Sequence, residues 1–431
     1  MNCEKLNQDI AKLQTLRDRF ARKVDELNDS MRGKIETRKI QKEIQELENQ
    51  VLESYLTEFK EKNPELFRWH LGEKINGFKG IAWSIAQLPE GEGVLVGGNV
   101  GTLYVCRKDK DGKWKLGEKI DGFEDGYGNS IDIASIAQLP DGEGMLVGGS
   151  SGKLFVCRKN EEGKWKLEEE ISGFKDVWGD ACNIETIAPL PDGEGMLVGG
   201  NVGTLYVCRK DKDSKWTLGE KINGFEDIYG NSIDITSITQ LPDGGMLIGS
   251  NRGVLYECRK YEDEKWALLD SIGGFVDTNG EYLDIRSIVP LPDGGILVGG
   301  RGGLYECRYE VEYGEWFLNN IVNGFEDEGG YSLDITSIAQ LPDGEGVLVG
   351  GDAGALYVCR KDKNKKWKLG EKIDGFEDKG GYIPSVTSVA QLPDGEMLIN
   401  HWGVLYEVNH SSPSVNTIKQ NLDIIIQKGA V

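Results

Sequence analysis

The sequence predicts a mainly β protein behind a helical head, and three observations carry that class. The first is where glycine and proline fall. Of 59 glycines only Gly33 lies in residues 1–65, and eleven of twelve prolines follow residue 65. Both residues interrupt helices and build turns, so a helical segment precedes a turn-rich body. The second is a tryptophan ladder: Trp69, Trp114, Trp165, Trp216, Trp266, Trp316 and Trp367 are spaced by 45, 51, 51, 50, 50 and 51 residues. The third is a Pro-Asp-Gly or Pro-Glu-Gly turn recurring seven times, from Pro89-Glu90-Gly91 to Pro393-Asp394-Gly395. Seven copies of a unit of roughly 50 residues, each holding two tight hairpins, predict a β-propeller of seven four-stranded antiparallel blades.

The head comes first. Residues 4–62 carry apolar side chains at steps of three and four: Leu6, Ile10, Leu13, Phe20, Val24, Leu27 and Met31, then Ile40, Ile44, Leu47 and Val51. That seam, with Arg17 in one of its positions, predicts either a helical hairpin or one long helix in an oligomeric coiled coil. Asp, Ser and Gly around 28–33 fit a turn, and Asn63-Pro64 ends the helix. A single narrow stripe needs a partner, so residues 4–62 are expected to self-associate or dock. The head is assigned 1–65.

Within the repeat, the copy at 133–171 shows the strands. Ser135–Leu139 runs into a Pro-Asp-Gly turn, Met145–Gly149 returns, Lys153–Arg158 follows a glycine turn, and Lys164–Ile171 follows a charged hairpin. After Trp402 the last repeat has a third strand, Val404–Val408, and no Trp strand behind it. The first Trp strand, Trp69–Ile75, has no three strands before it. These fragments add up to one blade, so Trp69–Ile75 is expected to be the outer strand of blade seven, closing the ring without a free edge. The tail segment Val415–Ile426 competes for that place, but the tryptophan signature favours the N-terminal strand. The propeller is assigned 66–410 and the tail 411–431.

The run Ile-x-Ser-Ile-x-Gln-Leu-Pro-Asp-Gly-x-Met-Leu-Val-Gly-Gly-x-x-Gly-x-Leu-Tyr, over roughly residues 67–410, resembles the repeats of bacterial two-component-regulator propellers. It is more loosely similar to WD-repeat propellers, without their Gly-His and Trp-Asp dipeptides. The order Leu-Tyr, Trp, Gly-Phe also resembles tachylectin-type GlcNAc-binding lectins, which have fewer blades. These likenesses imply the fold and no particular activity.

Charge and chemistry narrow the function. Formal net charge is −22; the head, with 13 basic and 14 acidic side chains, contributes −1, leaving −21 on the rest. Direct nucleic-acid binding needs a basic footprint and is not expected. No apolar run reaches the length of a membrane span, and Met1-Asn-Cys-Glu-Lys-Leu lacks a signal-peptide layout. Cys106, Cys157, Cys208, Cys258, Cys307 and Cys359 share one place in the third strands, too far apart to pair, and read as small buried residues in a cytoplasmic protein. The repeated tryptophans read as inter-blade filling. The chain has three histidines, His70, His401 and His410, and shows no Ser/His/Asp set, metal-ligand spacing or phosphate loop. No enzyme, metal or cofactor is expected. Acidic loops such as 125–132 and 277–284 are faintly like calcium loops, and Asx-turns account for the same residues.

The copies differ chiefly in two loops. Between strands two and three they read Asn99-Val100, Ser150-Ser151, Asn201-Val202, Asn251-Arg252, Arg301, Asp352-Ala353 and His401-Trp402. Between strand four and the next blade stand Tyr127, Trp178, Tyr229, Tyr282, Tyr331 and Tyr382, each near an aspartate. The residue leading into the inner strand also varies: Trp83, Ala134, Glu185, Thr236, Arg286, Thr336, Thr387. Alternating strand direction brings all three sets to one end of the ring. The segment 78–84 is about six residues shorter than its counterparts, leaving a gap beside Trp83. Aromatics and arginine are favoured at binding hot spots. The expected site therefore comprises Trp83, Asn99, Tyr127, Trp178, Glu185, Asn201, Tyr229, Arg252, Tyr282, Arg286, Arg301, Tyr331, Asp352, Tyr382 and Trp402, although unconstrained loop drift produces the same variation. The expected partner is a protein or peptide, with cationic segments favoured by the charge; a lectin with inter-blade sugar sites is the competing class. The opposite end, with the Pro-Asp-Gly turns and Lys/Asp hairpins, reads as solvated.

Overall fold

A computed structural model describes residues 3–26, 31–78, 81–99, 101–176, 178–227, 229–261, 265–276, 280–301, 303–327, 329–376 and 384–411. The chain divides by packing into two units, Leu71–Asn409 and a second holding the helices through His70 together with His410.

In the first unit the described residues form seven four-stranded sheets, each antiparallel and joined in chain order. Blades 1 to 6 span 82–120, 133–172, 184–222, 235–272, 287–322 and 335–372. Blade 2 is typical: Ile133–Gln138 is innermost, followed outward by Gly144–Gly149, Lys153–Lys159 and Trp165–Ser172. Its strands start and stop within two residues of the sequence expectation. Blade 7 takes Val386–Gln391, Met397–His401 and Val404–His410 from the C-terminal side, and Trp69–Ile75 as its outer strand.

The core lies between blades rather than within them. Leu95, Leu103 and Val105 of blade 1 share one apolar cluster with Met145, Val147, Phe155, Cys157 and Trp165 of blade 2, and equivalent clusters recur around the ring. Burying residues such as Phe155 contributes about 2 kcal/mol each. The repeated cysteines are reduced and buried here, and burial pushes the six third-strand thiols up to about 12. The repeated tryptophans are all buried. Lys108, Lys159, Lys210 and Lys361 sit 5.2–5.9 Å above Trp114, Trp165, Trp216 and Trp367.

The expectation that the Pro-Asp-Gly end is merely solvated needs correction. Glu90 of blade 1 binds Arg107 of its own blade and Lys159 of blade 2, both at 2.7 Å. Asp141 likewise holds Arg158 at 2.7 Å and Lys210 of blade 3 at 2.9 Å, and Asp293 holds Arg308 at 2.7 Å and Lys361 of blade 6 at 2.6 Å. Asp192 and Asp394 make the same kind of bridge, to Lys260 and Lys108, so five of the seven turns are tied to a neighbouring blade. Sequence spacing hid this because the partners lie about 70 or more residues apart.

The second unit contains α1 (Cys3–Glu26) and α2 (Met31–Lys62). They pack through Ile10, Leu13, Leu47 and Val51, and Arg17, the exception in the seam, meets Glu48 at 2.6 Å. The side chains of Leu6, Phe20, Val24, Leu27 and Met31, and the tail 412–431, lie outside the described residues. Among the described residues, no helix is long and apolar enough to cross a membrane.

Candidate functional site

Each blade's inner strand begins at one end of the axial channel, and two side-chain devices hold that end together. The serine of the inner strand accepts the N–H of the next blade: Ser135 from Ile187 at 3.0 Å, Ser287 from Ile338 at 3.1 Å, Ser337 from Val389 at 3.0 Å. The threonine before it donates across the same gap. Thr387 Oγ1 reaches the carbonyl of Ala82 at 2.9 Å, and Thr236 and Thr336 reach those of Ile285 and Val386. Threonine at this position is therefore structural. Trp83, Ala134, Glu185 and Arg286, the residues that replace it, are the real departures.

All seven lead-in residues line one cavity of about 540 Å³ at the channel mouth, with Ile81, Asp284, Asp352, Ser385 and Trp402. The sequence reading thus brings Trp83, Glu185, Arg286, Asp352 and Trp402 together, and it missed Asp284 and Ser385. Trp83 is 46% exposed and Trp402 39%. Trp402 has φ +44°, a left-handed turn that the equivalent loop residues Val202 (+55°) and Ala353 (+50°) share. What distinguishes Trp402 is therefore its indole, which stands where the other copies carry smaller residues such as Val202 and Ala353. Arg286 is held by Asp284 at 2.9 Å and Asp334 at 3.5 Å. Glu185 is exposed along the mouth, and partial desolvation there, then the charges of Asp234 and Asp284, pushes its carboxyl above its ordinary value. Burial raises Asp334 too, against the pull of Arg286.

Other expected residues serve the loops instead. Asn99 Oδ1 accepts from Ile81 N at 2.8 Å and Asn201 Oδ1 from Asn183 N at 3.0 Å, while their own backbones complete the pairing. They clamp the chain leading into the inner strand. Arg301 bridges to Asp334, 4.0 Å from its carboxylate. The loop aspartates are Asx-turn acceptors: Asp125 takes the N–H groups of Tyr127 and Asn129 at 2.7 and 2.9 Å, and Asp176, Asp227 and Asp327 repeat the pattern. At 125–132 these bonds occupy the aspartate whose spacing is calcium-like, while residues 277–279 of the other such loop lie outside the described residues.

The rim aromatics are exposed: Tyr127 93%, Trp178 74%, Tyr229 81%, Tyr331 75% and Tyr282 53%. They are not equivalent, however. Tyr127, Trp178 and Tyr229 stand two residues after the turn aspartate, Tyr331 stands four after it, and Tyr282 occupies the isolated bridge with Val276. Tyr382 lies outside the described residues. Tyr229, Arg252 and Tyr282 line a second cavity of about 600 Å³ with Asp227 and Asn231. Three departures from the repeat line it: Arg252 where Ser151, Val202 and Ala353 stand, Gly273 where Asp121, Ser172 and Asn223 stand, and Tyr282 where Ser130, Ala181 and Ser232 stand.

No family model matches this chain. No curated protein matches it either. The assignment of a site therefore rests on the geometry above.

Proposed function

We propose that this chain is a non-enzymatic, cytoplasmic interaction scaffold. Its variable face binds a protein or peptide, and its helix pair tethers or self-associates the molecule. One observation carries the reading: the lead-in positions that abandon the bridging threonine converge with the loop tryptophan Trp402 on a single cavity. Where threonine stands it ties two blades together, and Trp83 and Glu185 give up that hydroxyl tie. The reduced, buried thiols support the cytoplasmic assignment. The motif likeness to two-component-regulator propellers contributes the architecture and nothing about the partner.

The test is affinity capture with three forms: full chain, a form lacking residues 1–65, and Trp83→Ala/Trp402→Gly. The face variant should lose its specific partners at least tenfold while keeping its thermal midpoint. Retention of every partner by both altered forms would refute the division of labour.

A second reading, a glycan-binding protein, is favoured by the blade 3–4 cavity, which two exposed tyrosines line together with Arg252. The buried repeat tryptophans cannot serve sugars, so this reading predicts one site rather than seven. A glycan array blank for the full chain removes it; binding lost on Tyr229→Ala establishes it.

A further inference from the structure

The channel mouth is polarised around the ring. Trp402 and Trp83 belong to blades 7 and 1, neighbours across the closure. Glu185, Asp284 and Asp352 belong to blades 3, 5 and 6 on the remaining arc. The charge of Arg286 is answered by Asp284 and Asp334, and Asp352 accepts from Ser385 Oγ at 2.8 Å. Glu185 accepts no hydrogen bond from a described residue. It lines the cavity as an exposed side chain, and the carboxylates of Asp234 and Asp284 repel it. Two indoles and an unanswered carboxylate on the wall of one cavity suit a flat organic cation.

Resting on the scaffold reading above, we propose that the channel mouth seats one arginine side chain presented by the partner. A guanidinium is planar, weakly hydrated and able to stack on indole faces while donating two parallel hydrogen bonds to a carboxylate. A lysine ammonium is a compact, strongly hydrated point charge that uses the carboxylate and makes less of the rings. The cavity falls within the size range of ligand pockets, and the −21 on the rest of the chain draws cations toward it.

The test uses the full chain and three acetylated, amidated pentapeptides, Gly-Gly-X-Gly-Gly with X arginine, lysine or citrulline, read by calorimetry and tryptophan fluorescence. The arginine peptide should bind, with the citrulline peptide at least tenfold weaker and lysine in between. Glu185→Gln should weaken the arginine peptide at least tenfold, and Trp83→Ala should weaken it and remove the fluorescence change. Glu143→Gln, on the hairpin end, should change nothing. Equal binding of arginine and citrulline, tighter binding of lysine, or indifference to Glu185→Gln would each overturn the assignment. If those results appear while Trp83→Ala/Trp402→Gly still loses its protein partners, the arginine falls and the scaffold stands. If partners survive the face variant, the scaffold reading falls on its own.

Discussion

Gly148 has its missing Cβ where Ile184 of the next blade begins: a methyl there would lie 2.6 Å from Ile184 Cγ2. The same contact recurs as Gly97–Ile133, Gly199–Ile235, Gly249–Ile285 and Gly299–Ile335, and as Gly350–Val386. Inner strands thus approach closely because one side of each gap has no side chain. At the ring closure the pair is Asn400 and Ala82, both buried, so bulk has moved to the opposite side. Ala82→Ile alone should overpack this gap and cost about 1–3 kcal/mol. Asn400→Gly alone should leave a void and also destabilise. The double variant restores the arrangement of the other gaps and should recover most of the loss, a coupling of about 1 kcal/mol or more in thermal unfolding. Strict additivity would show that the two sites do not pack together. This exchange is written in the sequence, but it is recognisable only when Asn400 and Ala82, 318 residues apart, are known to be neighbours.

At the scale of elements, the outer strand Trp69–Ile75 decides whether blade 7 is complete. Removing residues 1–65 should leave the ring folded with its thermal midpoint nearly unchanged. Removing residues 1–75 should leave the third strand of blade 7, Val404–His410, as an exposed edge, lower the midpoint and promote aggregation on size-exclusion chromatography. Equal behaviour of the two truncations would contradict closure by this strand. The strands themselves were legible because each blade repeats the same turn residues. The hairpin end was misread for the opposite reason: Asp141 and Lys210 each look like solvated turn residues until the blades are set side by side.

Over the whole molecule, ion bridges at one end and crowded carboxylates at the other give pH opposite effects. Burial resists ionisation of Glu90, Asp141, Asp192 and Asp293, yet hydrogen bonds and charges from arginine and lysine hold all four below their ordinary values, Asp141 at about 2. A depressed acid stabilises the fold fully above its unfolded value, near 4, and loses that contribution as pH falls through its folded value. Burial instead raises Glu185 and Asp334, so their protonation in the fold adds stability as pH drops from neutral. The thermal midpoint should therefore rise slightly on mild acidification and fall steeply between about pH 4 and 2. Lys210→Ala should begin that fall at higher pH by releasing Asp141. A circular-dichroism profile that stays level to pH 2 would contradict the role of these bridges.

The amino-acid sequence determined the number of blades, their strand order and the end of the ring where the copies diverge, because turns and alternating strands are local and recur seven times. It also exposed Trp83, Glu185, Arg286, Asp352 and Trp402 as departures from their own repeats. Only the tertiary structure decided which departures meet. Asn99 and Asn201 became loop clamps and three threonines became inter-blade ties, while Glu185 was left without a hydrogen-bond partner among the described residues. A side chain's occupation depends on the neighbour across the gap, and in a ring that neighbour comes from another repeat about 50 residues away, or from the far end of the chain.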